Sequence, residues 1–130
     1  MKSIIVVAHG SRSSESNDLF FEIVDKLKEK LKNENVEGCF MDISKPSIED
    51  KVREMYEHGL REFTVLPYFL SPGVHINKDI PQILKQLKKK YNDINIEIAE
   101  PIGYHDKLTE ILKERVEGDK IDIDDFDTSD

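Results

Sequence analysis

The sequence predicts an α/β fold: a four-stranded parallel sheet in the order 2-1-3-4, with helices on both faces. Three observations predict the parallel sheet and its two helical layers; the strand order is assumed. Strand-like and helix-like patterns alternate four times along 130 residues, which demands right-handed crossovers and a parallel sheet. The first apolar run, Ser3-Ile4-Ile5-Val6-Val7-Ala8, is continuous rather than alternating, as in a strand covered on both sides. No internal repeat divides the chain, and its length suits one domain.

The elements follow in order. Strand one is 3–8, closed by His9-Gly10. Ser16 or Asn17 caps a helix whose apolar residues recur at Phe20, Ile23, Val24, Leu27 and Leu31, the helical period. Strand two is 36–43. Ser47 caps the second helix with Asp50 at its third position, Ile48, Val52, Met55 and Tyr56 face inward, and Gly59 ends it. Strand three is 62–68, followed by a loop from Phe69 to Ile76. Asn77 or Lys78 opens the third helix, where Pro81 falls in the first turn and Ile80, Ile83, Leu84 and Leu87 face inward. Strand four is 94–99. A last helix, about 104–116, turns Leu108, Ile111 and Leu112 inward.

Composition excludes several functions. No apolar run approaches the roughly 18–20 residues of a membrane span. The start lacks the pattern of a signal peptide, and one cysteine forms neither an internal disulfide nor a CxxC site. These features predict a cytoplasmic protein. The net charge of −8 disfavours nucleic acid. It is unevenly spread: residues 117–130 carry −6 and residues 1–116 carry −2. The expectation is a single domain over 1–116 and an acidic, disordered tail over 117–130, too poor in apolar residues to offset ordering entropy.

In an open α/β sheet the ligand sits beyond the strand C-termini where the strand order reverses. The assumed order 2-1-3-4 puts that point between strands one and three. His9 follows strand one and His75 lies in the loop after strand three, so both reach one crevice. Imidazole is the commonest metal ligand. Two histidines leave a divalent ion with open positions, which suits a site that must release its metal. Imidazole favours Co²⁺, Ni²⁺, Fe²⁺, Cu²⁺ and Zn²⁺ over Mg²⁺. Phe69, Leu70, Val74 and Ile76 make an apolar wall for a flat ligand, and Arg12 and Lys78 flank the histidine loops to meet anionic groups. His58 and His105 read as helix-end residues, Cys39 as a buried small apolar residue, and Lys85, Lys88, Lys89 and Lys90 as a solvated face.

Three segments together resemble a known family: Ala8-His9-Gly10-Ser11-Arg12, Leu66-Pro67-Tyr68-Phe69-Leu70-Ser71-Pro72-Gly73-Val74-His75, and Glu100-Pro101-Ile102-Gly103. The chain resembles the small, single-domain sirohydrochlorin chelatases of the CbiX type over residues 1–116. The resemblance implies a chelatase-like (flavodoxin-like) half-domain. It implies insertion of Co²⁺ or Ni²⁺ into sirohydrochlorin on the way to cobalamin or coenzyme F430, with Fe²⁺ insertion for sirohaem as the alternative. His9 and His75 then hold the metal and act in catalysis. Ser11, Arg12, Phe69, Leu70, Ser71, Pro72, Gly73, Val74 and Lys78 bind the substrate. The metal is a substrate, and no cofactor stays bound. Longer members of the family hold two such domains facing a cleft, so the resemblance implies a homodimer with its site between subunits. A wide, flat tetrapyrrole also exceeds what one small sheet edge encloses. One departure is Asp42, where relatives commonly carry Glu.

Two other readings use the same residues. A histidine phosphatase also places His-Gly after its first strand, but normally has Arg before the histidine, where this chain has Ala8. A metal carrier would bind the ion without accelerating insertion. A receiver-like domain is disfavoured because strand one ends in His9 rather than acidic residues.

Overall fold

The structure is a computed structural model that describes residues 2–41, 44–70, 73 and 78–127. Its elements are β1 (Ser3–Ala8), α1 (Ser14–Leu31), β2 (Val36–Phe40), α2 (Ile48–Glu57), β3 (Glu62–Pro67), α3 (Ile80–Lys90), β4 (Asn95–Ile98) and α4 (Asp106–Glu117), then one 3-10 turn at Ile123–Asp125. The strands are parallel in the order β2-β1-β3-β4, as the sequence predicts.

Alternate residues of β1, β2 and β3 feed two cores. Ile5 and Val7 of β1 join Phe63 and Val65 of β3, covered by Ile48, Val52 and Met55 of α2 and by Ile80, Leu84 and Leu87 of α3. On the other face Val6, Val36 and Phe40 pack under Phe20 and Val24 of α1. Gly38 allows that approach: a Cβ there would sit 3.0 Å from the Phe20 ring. Cys39 is buried, and desolvation pushes its thiol pKa up, so it behaves as a small apolar residue. At the far pole from the strand C-termini, Tyr56 donates to Asp93 at 2.8 Å, and Arg61 stacks on Tyr56 while reaching the same carboxylate.

Most element boundaries fall within two residues of expectation, and three of the differences bear on the structure. Helix α1 begins at Ser14, and Ser13 is its cap, accepting from the Ser16 N–H. Ser13, Ser14, Ser16 and Asn17 all suit a cap, and the choice of Ser13 leaves the Asn17 side chain for other work. Strand β2 ends at Phe40, where the chain turns to pair Phe40 with Ser47. Helix α3 starts at Ile80 after Asp79, which makes no side-chain cap, and Pro81 falls in the first turn. Asn77 lies outside the described residues.

A fourth difference matters more. Helix α4 buries none of its residues. Leu108 is half-buried, while Ile111, Leu112 and Val116 are 45%, 63% and 72% exposed. The amphipathic stripe expected to face the protein's own sheet is left open. Residues 118–127 are exposed throughout, Ile121, Ile123 and Phe126 included.

The start of α2 yields a first prediction. Ser47 and Asp50 form a reciprocal capping box: the Ser47 hydroxyl accepts from the Asp50 N–H at 3.1 Å, and the Ser47 N–H donates to the Asp50 carboxylate at 3.0 Å. Ser47→Ala lowers unfolding stability by about 1 kcal/mol in a urea titration. The Ser47 backbone N–H, then its hydroxyl, hold the Asp50 pKa below its ordinary 3.8. A depressed carboxylate stabilises the fold above the unfolded pKa. That contribution is lost as pH falls below 3.8 through the folded value, so the Ser47→Ala deficit shrinks in acid.

Candidate metal-insertion site

The site is built where the chain leaves the sheet. β1 is held to its last residues by ladder bonds, with Met41 N–H donating to Ala8 O at 2.8 Å and Tyr68 N–H to Val7 O at 2.7 Å. The next residue, His9, is exposed at the C-terminal edge, beside the junction of β1 and β3 where strand order reverses. Gly10 then takes φ +96°, and a Cβ there would lie 3.2 Å from Ser44 N and 3.4 Å from Phe40 Cβ. The left-handed conformation calls for glycine, and the tight space adds to the cost of a side chain there.

Two loops meet at His9. Its ring packs edge-to-face on Phe69, the centroids 5.0 Å apart and the planes at 75°. Phe69 follows β3, so the sequence's placement of strand-one and strand-three loops at one crevice holds for this pair. The strand-three loop is itself pinned by the segment after β4: Ile102 N–H donates to Phe69 O at 3.0 Å and Gly103 N–H to Leu70 O at 2.6 Å. The Glu100-Pro101-Ile102-Gly103 segment therefore acts as a brace for the wall of the site.

His9 borders a cleft of about 250 Å³, which Ser11, Ser16, Asn17, Phe20, Tyr68 and Phe69 also line. It is largely apolar. Ser11 lines it, Arg12 and Lys78 are exposed, Phe69 is half-buried, and Leu70 is 64% exposed. Gly73 is exposed. His75, Ser71, Pro72, Val74 and Asp42 lie outside the described residues, so the pairing of His75 with His9 is not placed by the structure. Among the described residues no group of three or more His, Cys, Asp or Glu gathers to hold a metal ion.

The other histidines are occupied at helix ends, as expected. His58 caps the end of α2 and its Nδ1–H donates to Glu54 O at 2.8 Å. His105 caps the start of α4, its Nδ1 accepting from Lys107 N–H at 3.1 Å. Among the lysines, Lys88 donates to Ile94 O, and Lys85, Lys89 and Lys90 are exposed on α3.

One contributor to the site escaped the sequence reading. Asn17 turns its amide back onto Ser11 and Ser44. In sequence it stood among serines as one more cap candidate.

Comparison with known proteins gives the family and agrees with the fold. The CbiX family model matches residues 3–119. A chloroplastic sirohydrochlorin ferrochelatase of Arabidopsis thaliana is 36% identical over 114 residues, covering 88% of this chain and 51% of the relative. The chain thus spans about half of that protein's length. A sirohydrochlorin cobaltochelatase of Sulfurisphaera tokodaii is 33% identical over 117 residues, covering 90% of this chain and 92% of the relative. The solved CbiX protein of Marinobacter aquaeolei VT8 superposes with a TM-score of 0.76 at 30% identity, covering 90% of this chain and 93% of that one. With its doubly wound sheet, its strand-end histidine and a match over nearly its whole length, the chain belongs to the CbiX family.

Proposed function

We propose that this chain is a chelatase that inserts a divalent metal into sirohydrochlorin, working as a pair of copies with the site between them. The observation that carries the reading is His9: an exposed imidazole at the switch point of the sheet, braced by Phe69, in a CbiX-family chain. Relatives of similar length are named sirohydrochlorin cobaltochelatases. The chelatase unit is residues 1–116, and the acidic segment 117–130 lies outside it. Among the described residues no helix is long and apolar enough to cross a membrane. The reading places the reaction in the cytoplasm.

The chemistry follows from the residue types. His9, with His75 as its partner, holds the metal through neutral imidazole nitrogens and leaves positions open for pyrrole nitrogens. The substrate's carboxylates face Arg12 and Lys78, and the apolar wall of Phe69, Leu70 and Val74 receives the flat ring. Ser11 and the Ser71-Pro72-Gly73 segment complete the substrate contacts. Two N–H protons leave as the metal enters: an imidazole nitrogen freed as the ion passes to the pyrrole nitrogens accepts one, and water takes the other. No cofactor stays bound; the metal is consumed.

Two observations support the paired arrangement. The cleft beside His9, at about 250 Å³, is below the usual range for a drug-sized ligand, and a tetrapyrrole is larger still. Helix α4 presents Ile111, Leu112 and Val116 to solvent. A 12-residue helix without tertiary packing is marginal in water. A second copy supplies both the missing wall and a surface for α4, by two-fold symmetry.

Co²⁺ is the favoured metal, with Ni²⁺ beside it, and Fe²⁺ for sirohaem is the alternative, since one relative is a ferrochelatase. Insertion rates for the three ions, measured side by side on sirohydrochlorin by absorbance, test the reading. Co²⁺ or Ni²⁺ is expected to be fastest. A lead for Fe²⁺ would move the protein to the sirohaem branch, and no acceleration with any of the three would refute the chelatase reading.

A further inference from the structure

We propose that Asn17 is a positioning residue for His9: its side-chain amide fixes the loop that carries the histidine. The inference rests on the chelatase reading for its effect on rate, but its structural part stands independently.

The sheet stops holding this loop at Ala8, the last residue of β1. Beyond it the chain passes His9 and the left-handed Gly10, neither of which belongs to a strand or helix. Ser11 is then gripped from both sides by one side chain. Its N–H donates to Asn17 Oδ1 at 3.1 Å, and its carbonyl accepts from Asn17 Nδ2 at 2.9 Å. The same Nδ2 donates to Ser44 Oγ at 3.0 Å, and the Ser44 hydroxyl donates to Ser11 O at 2.9 Å. The ring of bonds therefore joins three segments: the loop after β1, the first turns of α1, and the connection from β2 to α2.

Asn17 is well placed to act as an anchor. It lies on an 18-residue helix locked by the buried Phe20 and Val24. An asparagine amide offers both a donor and an acceptor, and this geometry uses both on the backbone of one residue, Ser11. Aspartate keeps an acceptor for the Ser11 N–H but turns an oxygen toward the Ser11 carbonyl. Alanine leaves that N–H without Asn17 and its carbonyl with Ser44 alone. The consequence passes two residues back to the His9 imidazole, whose edge-to-face seat on Phe69 depends on where Gly10 sets it.

The test uses the full chain with Asn17→Ala, Asn17→Asp and Ser44→Ala, each checked for folding by circular dichroism. Two readouts separate positioning from general weakening. The first is the ring resonances of the histidines by NMR. In Asn17→Ala those of His9 move, and those of His58 and His105 stay. The second is steady-state insertion of Co²⁺ into sirohydrochlorin. Here kcat falls about tenfold while KM for sirohydrochlorin stays within about twofold, since a misplaced group harms the chemical step more than binding. Asn17→Asp behaves like Asn17→Ala, and Ser44→Ala shows a smaller change of the same kind. Should Asn17→Ala not fold, Asn17→Asp and Ser44→Ala carry the same comparison.

A folded Asn17 variant with His9 resonances and kcat both at wild-type values overturns the proposal. So does a fall in rate with all histidine resonances shifted equally. If the wild-type chain itself inserts no metal, the chelatase reading fails, and the His9 resonances alone decide the role of Asn17.

Discussion

His9→Ala abolishes most of the metal-insertion activity while leaving the fold intact. His9 is exposed and lies outside the two cores, so its loss removes little buried surface. Its neighbours are fixed independently: β1 by its ladder with β2 and β3, Phe69 by the Ile102 brace, and Ser11 by Asn17. The variant therefore retains wild-type urea stability to within about 0.5 kcal/mol, as surface changes usually do. Its insertion rate is expected to fall about 100-fold or more, the range for removing a group to which the proposed function assigns both metal binding and proton acceptance. Circular dichroism and a sirohydrochlorin absorbance assay on the same preparation check both halves. Phe69→Ala, which removes only the ring packed on His9, gives a smaller loss.

The second large effect concerns α4. Leu112→Asp places a carboxylate in the middle of an apolar stripe made by Leu108, Ile111, Leu112 and Val116. In a chain that works alone this change is harmless, because Leu112 is 63% exposed. In a paired protein Leu112 lies in the contact. Burying an unpaired charge there raises the dimer dissociation constant about 30-fold or more, the effect of disrupting an interface hot spot. Sedimentation velocity is expected to show the wild type as a dimer and Leu112→Asp as a monomer, with insertion falling in proportion to the dimer lost. A variant that remains dimeric and active would remove α4 from the interface.

The fold was largely legible because its signals are local. The unbroken apolar run of β1, the Ser47–Asp50 spacing and the position of Pro81 each follow from backbone or packing rules that act over a few residues. Alternation and handedness gave the parallel sheet with its two covered faces; the order 2-1-3-4 was an assumption that the structure bears out. What the sequence concealed were choices between equivalent partners. A stripe such as Leu108, Ile111, Leu112 and Val116 looks the same whether it covers its own sheet or another copy's. Likewise Ser13, Ser16 and Asn17 are all competent caps, and only the folded loop determines that Ser13 caps while Asn17 binds Ser11. His9 was identifiable because a histidine at a strand C-terminus points into the crevice. The brace from Ile102 and Gly103 was not, because a backbone donor leaves no mark on residue identity.

The uneven charge bears on the substrate. Residues 1–116 carry only −2 of the −8, and Arg12 and Lys78 are exposed. A body of that charge repels a polycarboxylate far less than the total suggests.

The most direct measurement follows sirohydrochlorin absorbance with excess Co²⁺, with and without a small amount of the protein. The account predicts many turnovers per copy at a rate well above the uncatalysed one. One equivalent of metal bound with no acceleration of insertion would contradict it and leave a metal carrier in its place.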